Sequence, residues 1–250
     1  MKNSIVCTNL KKTVDRYPIL KNVSFRAARG EVTALLGPNG AGKTTAFSIL
    51  CGLIKPDTGH IFLDNREITE LPMYKRARLG LGYLPQEPSI FRGLTVEENI
   101  YAVLEMRKEG RKQKFFVLER LLEDLSLVNV RDLPAVSISG GERRKLEIAR
   151  ALATNPSFIL MDEPLAGIDP LAIEDMKRMI CSLKNRGIGI VITDHNVRDA
   201  IPLADRVYIL SEGSILTEGT PEEIISSDIA RRIYLGESFS SYNSLYEKGT

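Results

Sequence analysis

Gly37-Pro38-Asn39-Gly40-Ala41-Gly42-Lys43-Thr44-Thr45 is the stretch that decides the fold. Residues 31–36 (Glu-Val-Thr-Ala-Leu-Leu) run into it as a short apolar segment that reads as a buried strand, and the residues from Lys43 to Cys51 read as helix. Glycines let the backbone turn tightly enough for successive N–H groups to converge on phosphate oxygens, and a helix N-terminus adds a partial positive charge. In that setting Lys43 reaches the β- and γ-phosphates of a nucleotide, and the Thr44 hydroxyl is a ligand for Mg2+. Strand, glycine-rich loop and helix in that order imply an α/β nucleotide-binding core rather than a fortuitous turn.

A second motif supplies what the loop lacks. Phe158-Ile159-Leu160-Met161 is an apolar run that delivers Asp162 and Glu163 to a strand end. Asp162 is placed to hold Mg2+, directly or through water, and Glu163 to orient or deprotonate an attacking water. Alone, an apolar run closed by Asp-Glu is weak; after a phosphate-binding loop in the same chain it gains force. Ser139-Gly140-Gly141-Glu142-Arg143 has capping-box spacing, and by itself it reads as no more than a well-capped helix.

Composition excludes several other classes. The chain has 250 residues, 43% apolar and 26% charged, with 34 Lys+Arg against 32 Asp+Glu, which is the balance of an ordinary globular protein and gives no electrostatic case for nucleic acid. No apolar run approaches the roughly 20 residues needed to span a bilayer; residues 46–54 and 187–193 come nearest. Met1-Lys2-Asn3-Ser4-Ile5-Val6 is too polar for a secretory signal. Cys7, Cys51 and Cys181 are scattered, so the expectation is neither a zinc site nor a disulfide framework, in a reducing, cytoplasmic compartment.

Along the chain the first third reads as strands (residues 4–10, 21–27, 31–36 and 60–64). The middle is helical: Thr95 and Glu98 open one helix, residues 115–125 form another, and the basic run 107–114 reads as a solvated loop between them. The last third returns to alternation, with strands at 158–161 and 188–193 around a helix at 171–183, and a terminal hairpin turning at Glu212-Gly213. The Ser-, Tyr- and Asn-rich tail is expected to be loosely held.

The ordered set of Gly37 to Thr45, then Ser139-Gly140-Gly141-Glu142, then Asp162-Glu163 resembles the nucleotide-binding subunit of an ABC transporter over nearly the whole length. The resemblance implies an α/β P-loop NTPase (ABC ATPase) with a RecA-like core, an N-terminal antiparallel β-subdomain and an inserted α-helical subdomain. One ABC ATP-binding domain then spans residues 1–250. Residues 1–87 and 156–235 form the core with the β-subdomain, 88–155 the helical subdomain with the signature motif, and 236–250 the tail. It also implies roles. Gln86, in Tyr83-Leu84-Pro85-Gln86-Glu87, matches the Q-loop glutamine that contacts Mg2+ and the water; His195, in Ile192-Thr193-Asp194-His195, matches the switch histidine; Ala166-Gly167-Ile168-Asp169 stands at the D-loop. The family pairs two chains head to tail in a homodimer. Each ATP then lies between one chain's phosphate loop and the other chain's Ser139, Gly140, Gly141 and Glu142. His60 matches no family role and reads as a surface or packing residue.

One position departs from the family. An aromatic residue usually stacks on adenine from the N-terminal β-segment, and here Val14 holds that register with Tyr17 three residues later. Either Tyr17 fills the role from a shifted loop or the stack is reduced. Within the family, Ser89-Ile90-Phe91-Arg92 and Thr193-Asp194-His195-Asn196-Val197-Arg198, with Tyr234-Leu235-Gly236-Glu237, resemble the lipopolysaccharide-export branch. That resemblance implies two transmembrane subunits (LptF/LptG-like) contacted near Phe91 and Arg92, at the cytoplasmic face of the inner membrane. A branched-chain amino-acid importer ATPase is the nearest alternative. Soluble ABC proteins with two cassettes or a coiled-coil insert fit less well, and intact Lys43, Asp162, Glu163 and His195 argue against a non-hydrolysing subunit.

Overall fold

Alternation of buried side chains along the parallel strands builds two cores back to back. The computed structural model describes residues 3–87, 89–167 and 170–235. Its strands are β1 (Ser4–Val14), β2 (Tyr17–Ala28), β3 (Val32–Leu36), β4 (Thr58–Leu63), β5 (Arg66–Glu67), β6 (Leu81–Leu84), β7 (Phe158–Asp162), β8 (Gly189–Asp194), β9 (Arg206–Ser211) and β10 (Ser214–Gly219). They lie in one sheet of order β5-β4-β1-β2-β10-β9-β3-β8-β7-β6. The β5-β4-β1-β2 end is antiparallel, while β9, β3, β8, β7 and β6 run parallel.

The main helices are α1 (Lys43–Cys51), α2 (Met73–Arg78), α3 (Val96–Leu104), α4 (Arg111–Asp124), α5 (Gly140–Ala153) and α6 (Pro170–Asn185). Ala34, Leu36, Ile159, Met161, Ile190 and Ile192 point to the face covered by α5 and α6, where they meet Leu146, Ile180 and Leu183. Leu35, Leu160 and Val191 point the other way, toward Ala46, Phe47 and Leu50 of α1 and the antiparallel strands. With both faces covered, these strands are apolar along most of their length, Thr33, Asp162, Thr193 and Asp194 being the buried exceptions. α3 and α4 pack on α5 and extend the first core through Ile100, Leu118 and Leu122.

The expected strands and helices are present, with two differences. β1 and β2 are longer than the sequence suggests and form a hairpin whose turn, Asp15-Arg16, has both residues at positive φ (48° and 69°). That two-residue turn normally announces itself with Asn-Gly or Asp-Gly, and neither is present. The basic run 107–114 is not a solvated loop. Gly110 caps α4, so Arg111 to Lys114 form its first turn. Arg107 donates to Glu109 and to the carbonyl of Ala153, and Lys114 donates to the carbonyl of Glu105. The segment 236–250, including Gly236 and Glu237, lies outside the described residues. Cys7 and Cys51 are buried and Cys181 is exposed, while His60 sits on the rim and contacts Glu67 at 2.7 Å.

Arg76 ties α2 to the C-terminal end of α1. It is 1% exposed, and its guanidinium donates to the carbonyls of Ile49, Leu50, Leu71 and Thr69 at 2.7–2.8 Å. The first two are carbonyls of the last turn of α1, where a cation is favoured. Arg76→Ala strands four buried acceptors and opens a cavity. It is expected to cost roughly 3–5 kcal/mol, read as a lowered urea midpoint with an unchanged slope; a loss below about 1 kcal/mol would contradict this role.

Candidate nucleotide-hydrolysis site

The parallel register sets what meets at the carboxyl edge of the sheet. Leu36 pairs with Asp194, Asp162 with Thr193, and Leu84 with Met161. The loops that leave β3, β6, β7 and β8 therefore begin at one level, and they carry the loop 37–45, Gln86, Asp162-Glu163 and Asp194-His195. Ligands of open α/β sheets bind outside that edge.

Gly42 precedes α1 with φ +105°, and a Cβ there would lie 2.7 Å from Leu20 Cδ2 and 3.1 Å from the carbonyl of Ile19. Only glycine fits, so the loop lies against the antiparallel strands with its N–H groups turned to the helix opening. Lys43 is 7% exposed, and its ammonium donates to the carbonyls of Gly37 (2.7 Å) and Pro38 (3.0 Å). Burial holds its pKa below the usual lysine range, opposed by the charges of Glu163, Asp162 and Asp194. Thr44 is exposed in the first turn and Thr45 is half-buried beside it. Pro38, Asn39, Gly40 and Ala41 complete the loop, with Ala41 N–H donating to the Pro38 carbonyl.

Asp162 ends β7 inside the protein and accepts from the Thr193 hydroxyl at 2.5 Å. Burial pushes its carboxyl above the ordinary aspartate value, against the pull of that bond. The next residue, Glu163, leaves the strand in the left-handed region at φ 46°. That conformation costs a non-glycine residue about 1–2 kcal/mol. Its N–H is fixed by the Thr193 carbonyl (3.0 Å) and hydroxyl (3.2 Å). The turn aims the Glu163 carboxylate at two neighbours: Gln86 Nε2 donates to Oε2 at 3.0 Å, and His195 Nδ1 lies 3.2 Å from the same oxygen. The three residues expected to do the chemistry thus converge on one carboxylate oxygen.

Other expected residues stand apart. Ser139 caps α5 with Glu142 in a full capping box: Glu142 N–H donates to Ser139 Oγ, while Ser139 N–H and Oγ donate to the Glu142 carboxylate. These bonds hold the Glu142 carboxyl below the usual range. Ser139 and Gly140 are exposed, Gly141 is half-buried, and among the described residues no hydrogen bond or ion pair joins this helix opening to the loop 37–45 of its own chain. Val14 and Tyr17 face each other across the hairpin tip, 43% and 73% exposed. Ile168 and Asp169 of the D-loop lie outside the described residues, as does Pro88.

The family model described as ABC transporter matches residues 20–166, which takes in the loop, Gln86, the capped helix and Asp162-Glu163. The chain belongs to the ABC transporter family. It is an ATP-binding, ATP-hydrolysing member of that family, so ATP is its substrate. It is 50% identical over 239 residues (96% of this chain, 99% of the relative) to the lipopolysaccharide export system ATP-binding protein LptB of Acidithiobacillus ferridurans. To LptB of Escherichia coli strain K12 it is 46% identical over 94% of this chain and 98% of that protein. It is also 52% identical to a probable ABC transporter ATP-binding protein of Azorhizobium caulinodans, covering 95% of this chain and 85% of that one. Among solved structures it is similar to the ATP-binding cassette MJ1267 in its ADP conformation, with TM-score 0.82, 29% identity, and 95% and 100% coverage. Among the described residues no helix is long and apolar enough to cross a membrane.

Sequence reasoning passed over Thr193. Its hydroxyl ties Asp162 and its carbonyl ties Glu163, and a polar residue inside an otherwise apolar β8 was the available signal. Asp194, wholly buried behind His195, was also missed; burial pushes its carboxyl above the ordinary value.

A pH-linked outcome follows for Asp162. Its folded value lies above its unfolded one, so the folded state binds that proton more tightly. Stability is lost as pH rises from the ordinary aspartate value through the raised one, and the penalty is constant above that window. In buffer without nucleotide or divalent cation, Asp162→Asn is expected to melt higher than wild type at pH 7.5, with the gap closing below about pH 4. Melting curves across that range decide it, and a variant that melts lower at pH 7.5 would refute the assignment.

Proposed function

We propose that this chain is the ATP-hydrolysing subunit of a lipopolysaccharide-export ABC transporter, working as a head-to-tail homodimer beneath two transmembrane subunits. The convergence of Gln86 and His195 on Glu163 Oε2, beside Lys43 and Asp162, carries the hydrolytic part of this reading. Near-full-length similarity to LptB proteins supports the cargo, and it favours export over the branched-chain amino-acid importer.

In this reading backbone N–H groups of the loop 37–45, Pro38 having none, and the Lys43 ammonium bind the β- and γ-phosphates. Glu163 accepts the proton of the attacking water, Gln86 helps hold that water in line, and His195 steadies the Glu163 carboxylate and the γ-phosphate. Thr44, Gln86 and Asp162 would hold Mg2+, and their oxygens are the hard donors that this ion prefers. When bound, Mg2+ neutralises phosphate charge. The exposed Ser139, with Gly140, Gly141 and Glu142, completes the second copy's site, so each γ-phosphate lies between two helix openings in a closed, water-poor space. Tyr17 offers its ring to adenine from the hairpin tip.

The membrane-facing part falls at Phe91 and Arg92, within a helical subdomain of residues 88–155. Asn99 grips the Phe91 backbone from both sides at 2.9 Å, yet the Phe91 ring is 48% exposed. A backbone fixed this firmly under an exposed aromatic suits an anchor for a partner helix.

Two outcomes test the reading. Glu163→Gln keeps the shape of the side chain and removes the base. Turnover is expected to fall at least ~100-fold while ATP binding persists and an ATP-bound dimer accumulates on gel filtration; retained hydrolysis would contradict the role of Glu163. Phe91→Ala is expected to leave the ATPase rate of the isolated chain within about twofold and to reduce co-purification with the transmembrane subunits. Unchanged recovery of those subunits would sink the docking assignment. Recovery of amino-acid permease subunits with the wild type would favour the importer.

A further inference from the structure

Glu147 is a carboxylate buried in the middle of α5, 4% exposed, and the hydrolytic chemistry makes no use of it. Its Oε1 accepts the N–H of Ser89 at 2.8 Å, and its Oε2 accepts from Arg144 Nη1 at 2.9 Å. The same Nη1 of Arg144 also donates to the carbonyl of Pro85 at 3.1 Å. Two turns along, Arg150 donates to the carbonyl of Ser89, and its guanidinium lies 4.5 Å from the Phe91 ring centroid. Residues 144, 147 and 150 recur every third position on one side of α5. Together they hold Pro85, which adjoins Gln86, and Ser89 and Phe91 toward the exposed end.

Burying a carboxylate is costly unless every oxygen is paired, and an apolar side chain at this buried position would avoid that cost. What Glu147 supplies and leucine would not is a directional tie between a loop amide and the helix that begins at Ser139. We propose that Glu147 is a positioning residue that makes residues 85–87 and 89–91 move with α5 as one body. A load applied at Phe91 and Arg92 then reaches Ser139 and Gln86 together. The clamp itself stands on the geometry of one chain; its use by a membrane subunit rests on the docking at Phe91 proposed above.

The test compares wild type, Glu147→Leu and Glu147→Gln, each as the isolated chain and in complex with the transmembrane subunits that co-purify with it. Glu147→Gln keeps one oxygen, which can still accept the Ser89 N–H, and turns an NH2 toward Arg144, so that it retains the tie to the loop and loses only the second bond. In the isolated chain, Glu147→Leu is expected to speed amide exchange across 85–91 at least ~10-fold while hydrolysis stays within about twofold. In the complex its rate should fall to that of the isolated chain, and Glu147→Gln should restore both protection and response. Unchanged exchange across 85–91, a complex that still responds fully, or an equal loss of rate alone and in complex would each overturn the proposal. If Glu147→Leu does not fold, Glu147→Gln decides: protection and response near wild type support the tie, and loss of basal rate opposes it. If the wild-type rate is the same alone and in complex, the docking reading has failed, and exchange in the isolated chain still decides the clamp.

Discussion

The parallel pairing of β3, β8, β7 and β6 is the constraint on which the rest depends. Because Leu36 stands opposite Asp194 and Asp162 opposite Thr193, four loops start level with one another at one edge of the sheet. A slip of one residue would turn every alternating side chain of a strand to the opposite core, so the two apolar cores fix the register and with it the site. The geometry at this edge is a by-product of packing: Val191 and Ile192 face opposite cores, and His195 then emerges beside Glu163.

That edge is electrostatically expensive. Asp162 and Asp194 are buried with their carboxyls pushed up, Lys43 is buried and pushed down, and Glu163 sits in a left-handed conformation. None of these is what a stability-optimised sheet end would carry. The three buried charges are partly compensated, by the Thr193 hydroxyl on Asp162, the Asn196 N–H on Asp194 Oδ1 and the Gly37 and Pro38 carbonyls on Lys43. Left-handed non-glycine residues also occur at the antiparallel end, at Asp15 and Arg16, but buried Asp162, Asp194 and Lys43 are gathered at this one edge, as expected when function and not folding selects the residues.

What could be read from the sequence was what has a local signature. Glycine spacing announced the loop 37–45, an apolar run announced β7 and β8, and Ser139 with Glu142 announced the start of α5, all at the observed places. The hairpin at Asp15-Arg16 was hidden because non-glycine residues occupy its positive-φ positions. The first turn of α4 was hidden because its three cations stand at the positive end of the helix, where sequence rules expect acids. The partners of Arg76, Thr193 and Glu147 were hidden for a different reason. Each acts on groups of another element, and no spacing within its own segment encodes that partner.

The same distinction bears on why one chain is half of the machine. The opening of α5 satisfies its own capping box and leaves Ser139 and Gly140 exposed, while the loop 37–45 of that chain is bonded to none of them. Two anion-attracting helix openings on one chain, held apart, are of use to a triphosphate only if a second copy brings them together. If the clamp proposed above holds, closure of such a pair also moves Pro85 and Ser89, which α5 grips through Arg144, Glu147 and Arg150. In the proposed reading, nucleotide at the sheet edge and a partner at the exposed Phe91 ring are two handles on one element. A chain without a membrane-crossing helix of its own, among its described residues, gains in that element a means of driving proteins that have one.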